Sequence, residues 1–245
     1  MRLDHFVVHV DNNIAKLKQL AAAATSAGMP FNPKKGKGTS GFRATNIWIG
    51  DQYFEIPWLR RHDGGGWKKE WVELYNNGQR GAFCIFLLTR NLRELKARLE
   101  AAGVAVNEEK VSFKAFGLFT KVMPWTTLHL PRLPGTNLEI SFIEYEPICE
   151  TWFARMSPNA KTNGIEGVLS GEIEVQDFEG ASDFLRRVFP ESRTMSDEFV
   201  ASLEGGTLVV RRGSENRVTL FARSKEAKLV GKEFSFEDVT VKVVS

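Results

Sequence analysis

Three times along this 245-residue chain, a short apolar strand runs through polar residues into an amphipathic helix, and β-rich sequence follows. The strands end near Val10, Leu88 and Val175. Small polar residues suited to cap a helix follow each strand, and apolar residues then recur at helical spacing. This repeated unit constrains the fold more than composition does, because one such unit cannot bury its apolar face alone.

Two or three further strands follow each helix. The segments are GFRATNIWIG and DQYFEIPWL after the first helix, FGLFTKVMPWTTLHL and TNLEISFIEY after the second, and EFVASLEG, GTLVVRRG and RVTLFARS after the third. We therefore predict an α+β fold of repeated βαβββ modules. Residues 1–150 form a pair of modules, and residues 160–245 form a third, degenerate module that ends in one further strand, FSFEDVTVKVV.

Charge and cysteine content exclude several classes of protein. A net charge of +3 is too small to indicate nucleic acid or an anionic membrane as a partner. Cys84 and Cys149 lie among apolar residues, which indicates buried thiols and no disulfide framework. The apolar runs are shorter than the roughly 18 residues of a membrane span, and no signal peptide is recognisable. We therefore expect a cytoplasmic protein.

Three segments resemble the vicinal oxygen chelate superfamily and, more narrowly, its glyoxalase-like domain proteins. They are LDHFVVHVDN, GFRATNIWIGDQYFEI and PGTNLEISFI. The resemblance covers residues 1–145, whereas the third module matches by pattern alone. In that superfamily, two modules form a half-open barrel with a divalent metal at the centre of its concave face. The resemblance implies the same arrangement here.

The resemblance also implies a set of metal ligands. His5 falls at the first-strand position of the first module, Glu55 at its last-strand position, and Glu139 at the last-strand position of the second module. Phe83 occupies the remaining position and cannot bind a metal. His129, on the strand before Glu139, could replace it. Imidazole and carboxylate ligands suit Fe, Mn, Ni or Zn, and Glu139 is also the predicted catalytic residue.

The residues themselves leave a simpler alternative open. His5 and His9 are four apart in a strand and share one face, where histidines are more often structural or exposed. Strand alternation could place Glu55 or Glu139 on the outer face, and His129 could be an ordinary strand histidine. On a buried face, however, a carboxylate is costly unless it is paired or coordinated.

Aromatic residues are concentrated near the predicted metal position. The segment WLRRHDGGGWKKEWVELY contains Trp67 and Trp71, which indicate either a mobile loop hinged at Gly64–Gly66 or one face of a docked helix. The side chains predicted to bind substrate are Phe83, Trp48, Trp67, Trp71, Trp125 and His9.

Three functions fit this pattern, and in one of them the modules are purely structural and the third one mediates assembly. The first is a metal-dependent lyase, isomerase or dioxygenase that acts on a small oxygenated organic molecule. The second is a metal-free protein that binds or sequesters a small molecule, which Phe83 favours.

The third module contains no histidine, and it has no partner module next to it in the sequence. The third module could pack on the first two within the chain, with the last strand sealing its edge, or pair with its copy in a homodimer, which is the arrangement we predict.

Overall fold

The computed structural model of the chain describes residues 1–29, 31–115, 119–151 and 163–245. Three modules share one element order, a strand, a helix and three strands. Module 1 consists of β1 (Arg2–His9), α1 (Ile14–Ser26), β2 (Lys37–Gly38), β3 (Phe42–Ile49) and β4 (Gln52–Leu59). A 3-10 turn at Gly64–Gly66 and helix α2 (Lys69–Asn76) follow it.

Modules 2 and 3 repeat this order. Module 2 consists of β5 (Gly81–Leu88), α3 (Leu92–Ala101), β6 (Asn107–Ala115), β7 (Phe119–Arg132) and β8 (Glu139–Tyr145). Module 3 consists of β9 (Ile165–Val175), α4 (Phe178–Val188), β10 (Arg193–Thr194), β11 (Glu198–Leu203) and β12 (Gly206–Arg212).

The strand order is the same in all three modules, with the first strand beside the last. It is β2-β3-β4-β1 in module 1, β5-β8-β7-β6 in module 2 and β10-β11-β12-β9 in module 3. The first and last strands run parallel in modules 1 and 2, while the others pair as antiparallel neighbours. The predicted α+β fold of repeated βαβββ modules is confirmed.

The C-terminal segment differs from the prediction. The strand RVTLFARS, expected to close module 3, is β13 (Arg217–Ser224), and it pairs in parallel with β15 (Val239–Val244). The segment expected to form one last strand forms two, β14 (Glu233–Phe236) and β15. The order β13-β15-β14 matches β5-β8-β7, and no helix lies between β13 and β14, a stretch that the structure describes throughout. The chain therefore ends in a half-module without a helix.

Local sequence sets the ends of the helices. The Asn13 side chain accepts hydrogen bonds from the backbone N–H groups of Ala15 and Lys16, at 2.9 and 3.2 Å, and begins α1. Asp177 caps α4 in the same way, as its sequence position predicts. Gly28 adopts a φ of 84° just after α1, the left-handed conformation that glycine tolerates best.

The chain divides into two compact units. One comprises residues 5–83, 157–171 and 217–245, and so holds nearly all of module 1 with the C-terminal half-module. The other comprises residues 1–4, 84–156 and 172–216, and holds most of modules 2 and 3. The predicted domains, residues 1–150 and 160–245, stay a prediction.

Cys84 and Cys149 are buried, and they are not joined in a disulfide. In the part of the chain that the structure describes, none of the helices is long and apolar enough to cross a membrane.

Candidate functional site

Two of the predicted ligand residues meet in module 1. Strands β1 and β4 are parallel neighbours, with His5 opposite Tyr53 and Val7 opposite Glu55. This register leaves His5 diagonal to Glu55, and the imidazole Nε2 lies 3.9 Å from the carboxylate Oε2. The His5 ring is buried and stacks on the Tyr53 ring, with centroids 4.6 Å apart and planes 6° apart. Strand pairing and ring stacking thus hold the imidazole beside the carboxylate.

The surroundings of Glu55 change its acidity. Burial among neighbouring groups raises the pKa of the Glu55 carboxyl, and the nearby imidazole of His5 opposes this with a smaller effect. The side chain nevertheless keeps 31% of its area exposed, so a small molecule can reach it. A carboxyl group that holds its proton at higher pH than usual and stays accessible is suited to general acid–base chemistry.

Trp48 lies at one side of this pair. It is the strand partner of Tyr53, and the two rings have centroids 4.7 Å apart. Since Tyr53 carries the stacked ring of His5, Trp48 supports the position of the imidazole through one intermediate ring.

The other two predicted ligands meet in module 2, but in a different way. His129 Nδ1 lies 2.5 Å from Glu139 Oε1 and 2.8 Å from the hydroxyl oxygen of Ser141. Ser141 in turn donates a hydrogen bond of 2.8 Å to Glu139. The other ring nitrogen, Nε2, lies 3.1 Å from the Thr127 hydroxyl and 3.6 Å from Glu109 Oε2. Both nitrogens of His129 therefore already have polar partners.

His9 occupies a third environment, among aromatic rings. It is fully buried, and its ring stacks on Phe83 with centroids 3.7 Å apart. The Trp67 and Tyr75 rings make T-shaped contacts with it, with centroid distances of 5.4 and 5.2 Å. Its Nδ1 hydrogen-bonds Gln79 Oε1 at 2.5 Å.

The remaining predicted aromatics lie in different surroundings. Trp71 contacts Trp67 and Phe83, with ring centroids 5.6 and 5.1 Å away. Trp125 lies in module 2, 6.2 Å from the ring of Tyr145. A shared role in binding substrate stays a prediction for this set.

The predicted set of metal ligands, His5, Glu55, Glu139 and His129, stays a prediction. Within the four described ranges, no group of three or more His, Cys, Asp or Glu side chains could hold a metal ion. His5 and Glu55 form a pair, and His129 directs both ring nitrogens to other partners. A structural or catalytic site for a divalent metal ordinarily takes at least three protein ligands. We therefore derive no chemical step through a metal.

Two polar residues of this region were not singled out from the sequence. Gln79 orients His9 across 70 residues of chain. Asp238, in the C-terminal half-module, accepts a hydrogen bond of 2.8 Å from the Ala82 backbone N–H. Burial raises the pKa of the Asp238 carboxyl to about 6. Neither residue lies in a motif, so only its tertiary contacts identify it.

Modules of this order, paired in this register, agree with the resemblance of the opening segments. A family model described as a glyoxalase-like domain matches residues 3–189. The chain belongs to the glyoxalase-like domain family. The predicted resemblance to the vicinal oxygen chelate superfamily is thereby confirmed.

Solved structures of other proteins are similar to this chain at low sequence identity. A hypothetical protein from Staphylococcus aureus has a TM-score of 0.72 and 10% identity, with 99% of each chain covered. The Mn(II)-bound glyoxalase from Novosphingobium aromaticivorans has a TM-score of 0.57 and 9% identity, over 99% of this chain and 81% of that one. A methylmalonyl-CoA epimerase from Mycobacterium tuberculosis has a TM-score of 0.43 and 11% identity, over 61% and 91%. No curated protein matches the chain.

Proposed function

We propose that this glyoxalase-like protein is an enzyme that moves a proton on a small oxygenated organic molecule, with Glu55 as the acid–base group. The observation that carries the proposal is the Glu55 carboxyl, which is accessible, has a raised pKa and lies 3.9 Å from the His5 imidazole. General acid–base groups work best when their pKa lies near the working pH, and burial is a common way of raising it.

The two side chains have separate roles in this proposal. Glu55 takes a proton from the substrate, or returns one, at the carbon next to a carbonyl group. The His5 imidazole positions the carboxyl and favours its charged form, since it opposes the effect of burial on the pKa of Glu55. Isomerisation and epimerisation, which are among the reactions predicted from the family, both need this proton transfer.

Hydrogen exchange with solvent tests the proposal without a known substrate. The purified protein is incubated in D2O with a panel of small 2-hydroxy and 2-oxo acids, aldehydes and thioesters, and loss of the proton next to the carbonyl is followed by 1H NMR. We expect exchange with at least one compound. Glu55→Gln should lower its rate by about a hundredfold or more, the usual contribution of a general acid–base group.

Glu100→Gln is the matched control, because Glu100 is an exposed carboxylate on the outer part of α3. It should exchange at the wild-type rate. Equal rates in wild type and Glu55→Gln would overturn the proposal, and so would a lack of exchange across the whole panel.

Metal dependence is a separate hypothesis within this function. The predicted ions are Fe, Mn, Ni or Zn, and His5 with Glu55 is the pair of donors on which such an ion would depend. Elemental analysis of freshly purified protein, with His5→Ala as the comparison, tests it. A stoichiometric metal that is lost in His5→Ala would support the hypothesis.

A binding protein without catalysis is the second candidate function. The packing of Phe83 favours it, because this ring fills its position and stacks on His9 at 3.7 Å. Under this function, a ligand would bind equally well to wild type and Glu55→Gln, and neither would exchange hydrogen with solvent. The homodimer, the cytoplasmic location and the absence of nucleic acid and membrane partners stay predictions.

A further inference from the structure

His9 presents an unused hydrogen-bond acceptor inside an aromatic enclosure. Its Nε2 atom is buried and has no hydrogen-bond partner among the described residues. A buried polar atom without a partner is unfavourable, and such atoms in folded proteins often serve a function. This nitrogen can therefore meet a complementary group on a bound ligand.

The Gln79 side chain determines which ring nitrogen carries the proton. The amide nitrogen of Gln79 lies 3.0 Å from the carbonyl oxygen of Arg80 and 3.4 Å from that of Gly81, and it donates to both. This orientation turns the amide oxygen towards His9 Nδ1, at 2.5 Å. Because an amide oxygen can only accept, Nδ1 must be the protonated nitrogen. Nε2 is then left with a lone pair.

The ring stays neutral over the physiological range of pH. Burial lowers the pKa of His9 to about 3, the hydrogen bond to Gln79 opposes this, and the charge of Arg80 adds to it. A neutral imidazole with its proton on Nδ1 offers an acceptor at Nε2 and no donor there. The lone pair disfavours a carboxylate or a phosphate, and the nearby Arg80 disfavours a cation.

The enclosure has aromatic walls. Phe83 lies against one face of the His9 ring, and the Trp67 and Tyr75 rings make T-shaped contacts with it. The Tyr75 hydroxyl donates to the carbonyl oxygen of Val10 at 2.9 Å, so this wall is fixed to the end of β1. Aromatic walls with a single polar acceptor suit a planar, neutral molecule that carries one donor group.

Trp67 is the wall of the enclosure that solvent reaches. It is partly exposed, while His9, Tyr75 and Phe83 are buried. Trp67 follows the 3-10 turn at Gly64–Gly66 and directly precedes Lys68, the N-cap of α2, which makes no side-chain capping bond. Its ring is held by other rings, with Phe42 stacked at 5.3 Å and Trp71 edge-on at 5.6 Å.

We propose that His9 Nε2 accepts a hydrogen bond from the O–H or N–H group of a neutral aromatic ligand, which takes the place of the Trp67 ring beside the stacked rings of His9 and Phe83. The ligand class is that of phenols and aromatic amines. This proposal rests on the proposed function and adds a substrate class to it. The two are connected because His9 and His5 share one face of β1. The test of this proposal does not depend on Glu55.

Phenol and toluene form the matched pair of probes, because they have similar shapes and differ in the donor group. The full chain, with 15N-labelled histidine, is titrated with each probe, and the Nε2 resonance of His9 is followed by NMR. Phenol should shift this resonance and bind about tenfold more tightly than toluene, as one net hydrogen bond predicts. The exposed His62 serves as an internal reference and should not respond.

The variant His9→Phe keeps an aromatic ring and removes the acceptor, so phenol and toluene should bind to it with equal affinity. A preference for phenol that persists in His9→Phe would overturn the proposal. Failure of phenol to shift the His9 resonance in the wild type would overturn it even if the variant does not fold. Glu55→Gln should keep the preference for phenol, so loss of proton transfer and loss of this binding site are distinguishable.

Discussion

The pair of His5 and Glu55 in module 1 and the pair of His129 and Glu139 in module 2 both lie on neighbouring strands, and they differ in their hydrogen bonding. In module 1, His5 Nε2 and Glu55 Oε2 lie 3.9 Å apart, and burial raises the pKa of the carboxyl. In module 2, His129 and Glu139 are in direct contact at 2.5 Å, and the hydroxyl of Ser141 completes their hydrogen bonds. The same residue types thus form an accessible carboxyl with a raised pKa in one place and a hydrogen-bonded network in the other.

Hydrogen bonding distinguishes the candidate catalytic carboxyl, Glu55, from the candidate structural one, Glu139. The Ser141 hydroxyl and His129 Nδ1 contact the Glu139 carboxylate and hold its position. For Glu55, desolvation outweighs the effect of His5, so the pKa of this carboxyl is raised. Four predictions test this contrast, from the largest expected effect to the smallest.

Activity should separate the two glutamates most strongly. In the hydrogen-exchange assay, Glu55→Gln should lower the rate by about a hundredfold or more, whereas Glu139→Gln should lower it less than tenfold. The resemblance assigns Glu139 a catalytic role. If that assignment is right, both variants will lose activity to a similar extent, and the contrast drawn here fails.

The two glutamates should differ in the opposite direction in their contribution to stability. Glu139→Gln should lower the free energy of unfolding by about 2 kcal/mol, because it weakens charge-assisted hydrogen bonds to a buried histidine. Glu55→Gln should not lower it, since it removes a carboxyl whose charged form is disfavoured by burial. Urea unfolding at pH 7 measures both. An equal loss in the two variants would contradict the contrast.

The third prediction concerns the pH dependence of stability. Asp238 must be controlled for, because its raised pKa affects this dependence in the same way as that of Glu55. Burial raises the pKa of Asp238 from 3.8 to about 6. The folded protein then binds more protons than the unfolded one between about pH 4 and about pH 6. Through Asp238, the free energy of unfolding therefore falls as the pH rises through that window.

Asp238→Asn should remove this part of the slope and keep an acceptor for the Ala82 N–H group. The pKa of Glu55 is also raised, from 4.5, so Glu55 contributes a slope of the same sign above pH 4.5. In the double variant Asp238→Asn, Glu55→Gln, the free energy of unfolding should therefore depend on pH still less. Urea unfolding at several pH values measures this. A slope unchanged by both substitutions would show that neither carboxyl has the acidity described.

The smallest expected effect is that of Ser141→Ala. The hydroxyl of Ser141 donates to Glu139, and Cys84 Sγ lies 3.4 Å from it. Removal of this hydroxyl should lower the free energy of unfolding by about 1 kcal/mol. It should leave the rate of substrate hydrogen exchange in D2O unchanged. Thr45→Val is a useful comparison, because the Thr45 hydroxyl makes a longer contact of 3.4 Å with a backbone carbonyl. A larger loss in Thr45→Val than in Ser141→Ala would mean that the network is not the stabilising feature.

Local sequence was sufficient for most of the modules. Apolar periodicity and capping residues such as Asp177 predicted the strand–helix repeats, because these signals depend on neighbours within a few residues. Strand alternation also predicted that His5 and His9 share a face. The C-terminal half-module was missed in part, since a segment of alternating residues does not reveal that it contains a turn and two strands.

Tertiary structure alone decided what each candidate residue can do. The resemblance implied equivalent positions for Glu55 and Glu139, but the histidine beside each comes from another strand. His5 lies 3.9 Å from Glu55, whereas His129 lies in direct contact with Glu139. The Gln79 contact that fixes the proton of His9 spans 70 residues, and the Asp238 contact to Ala82 spans 156. Periodicity carries no information about such contacts, because they depend on how whole strands pack after they have formed.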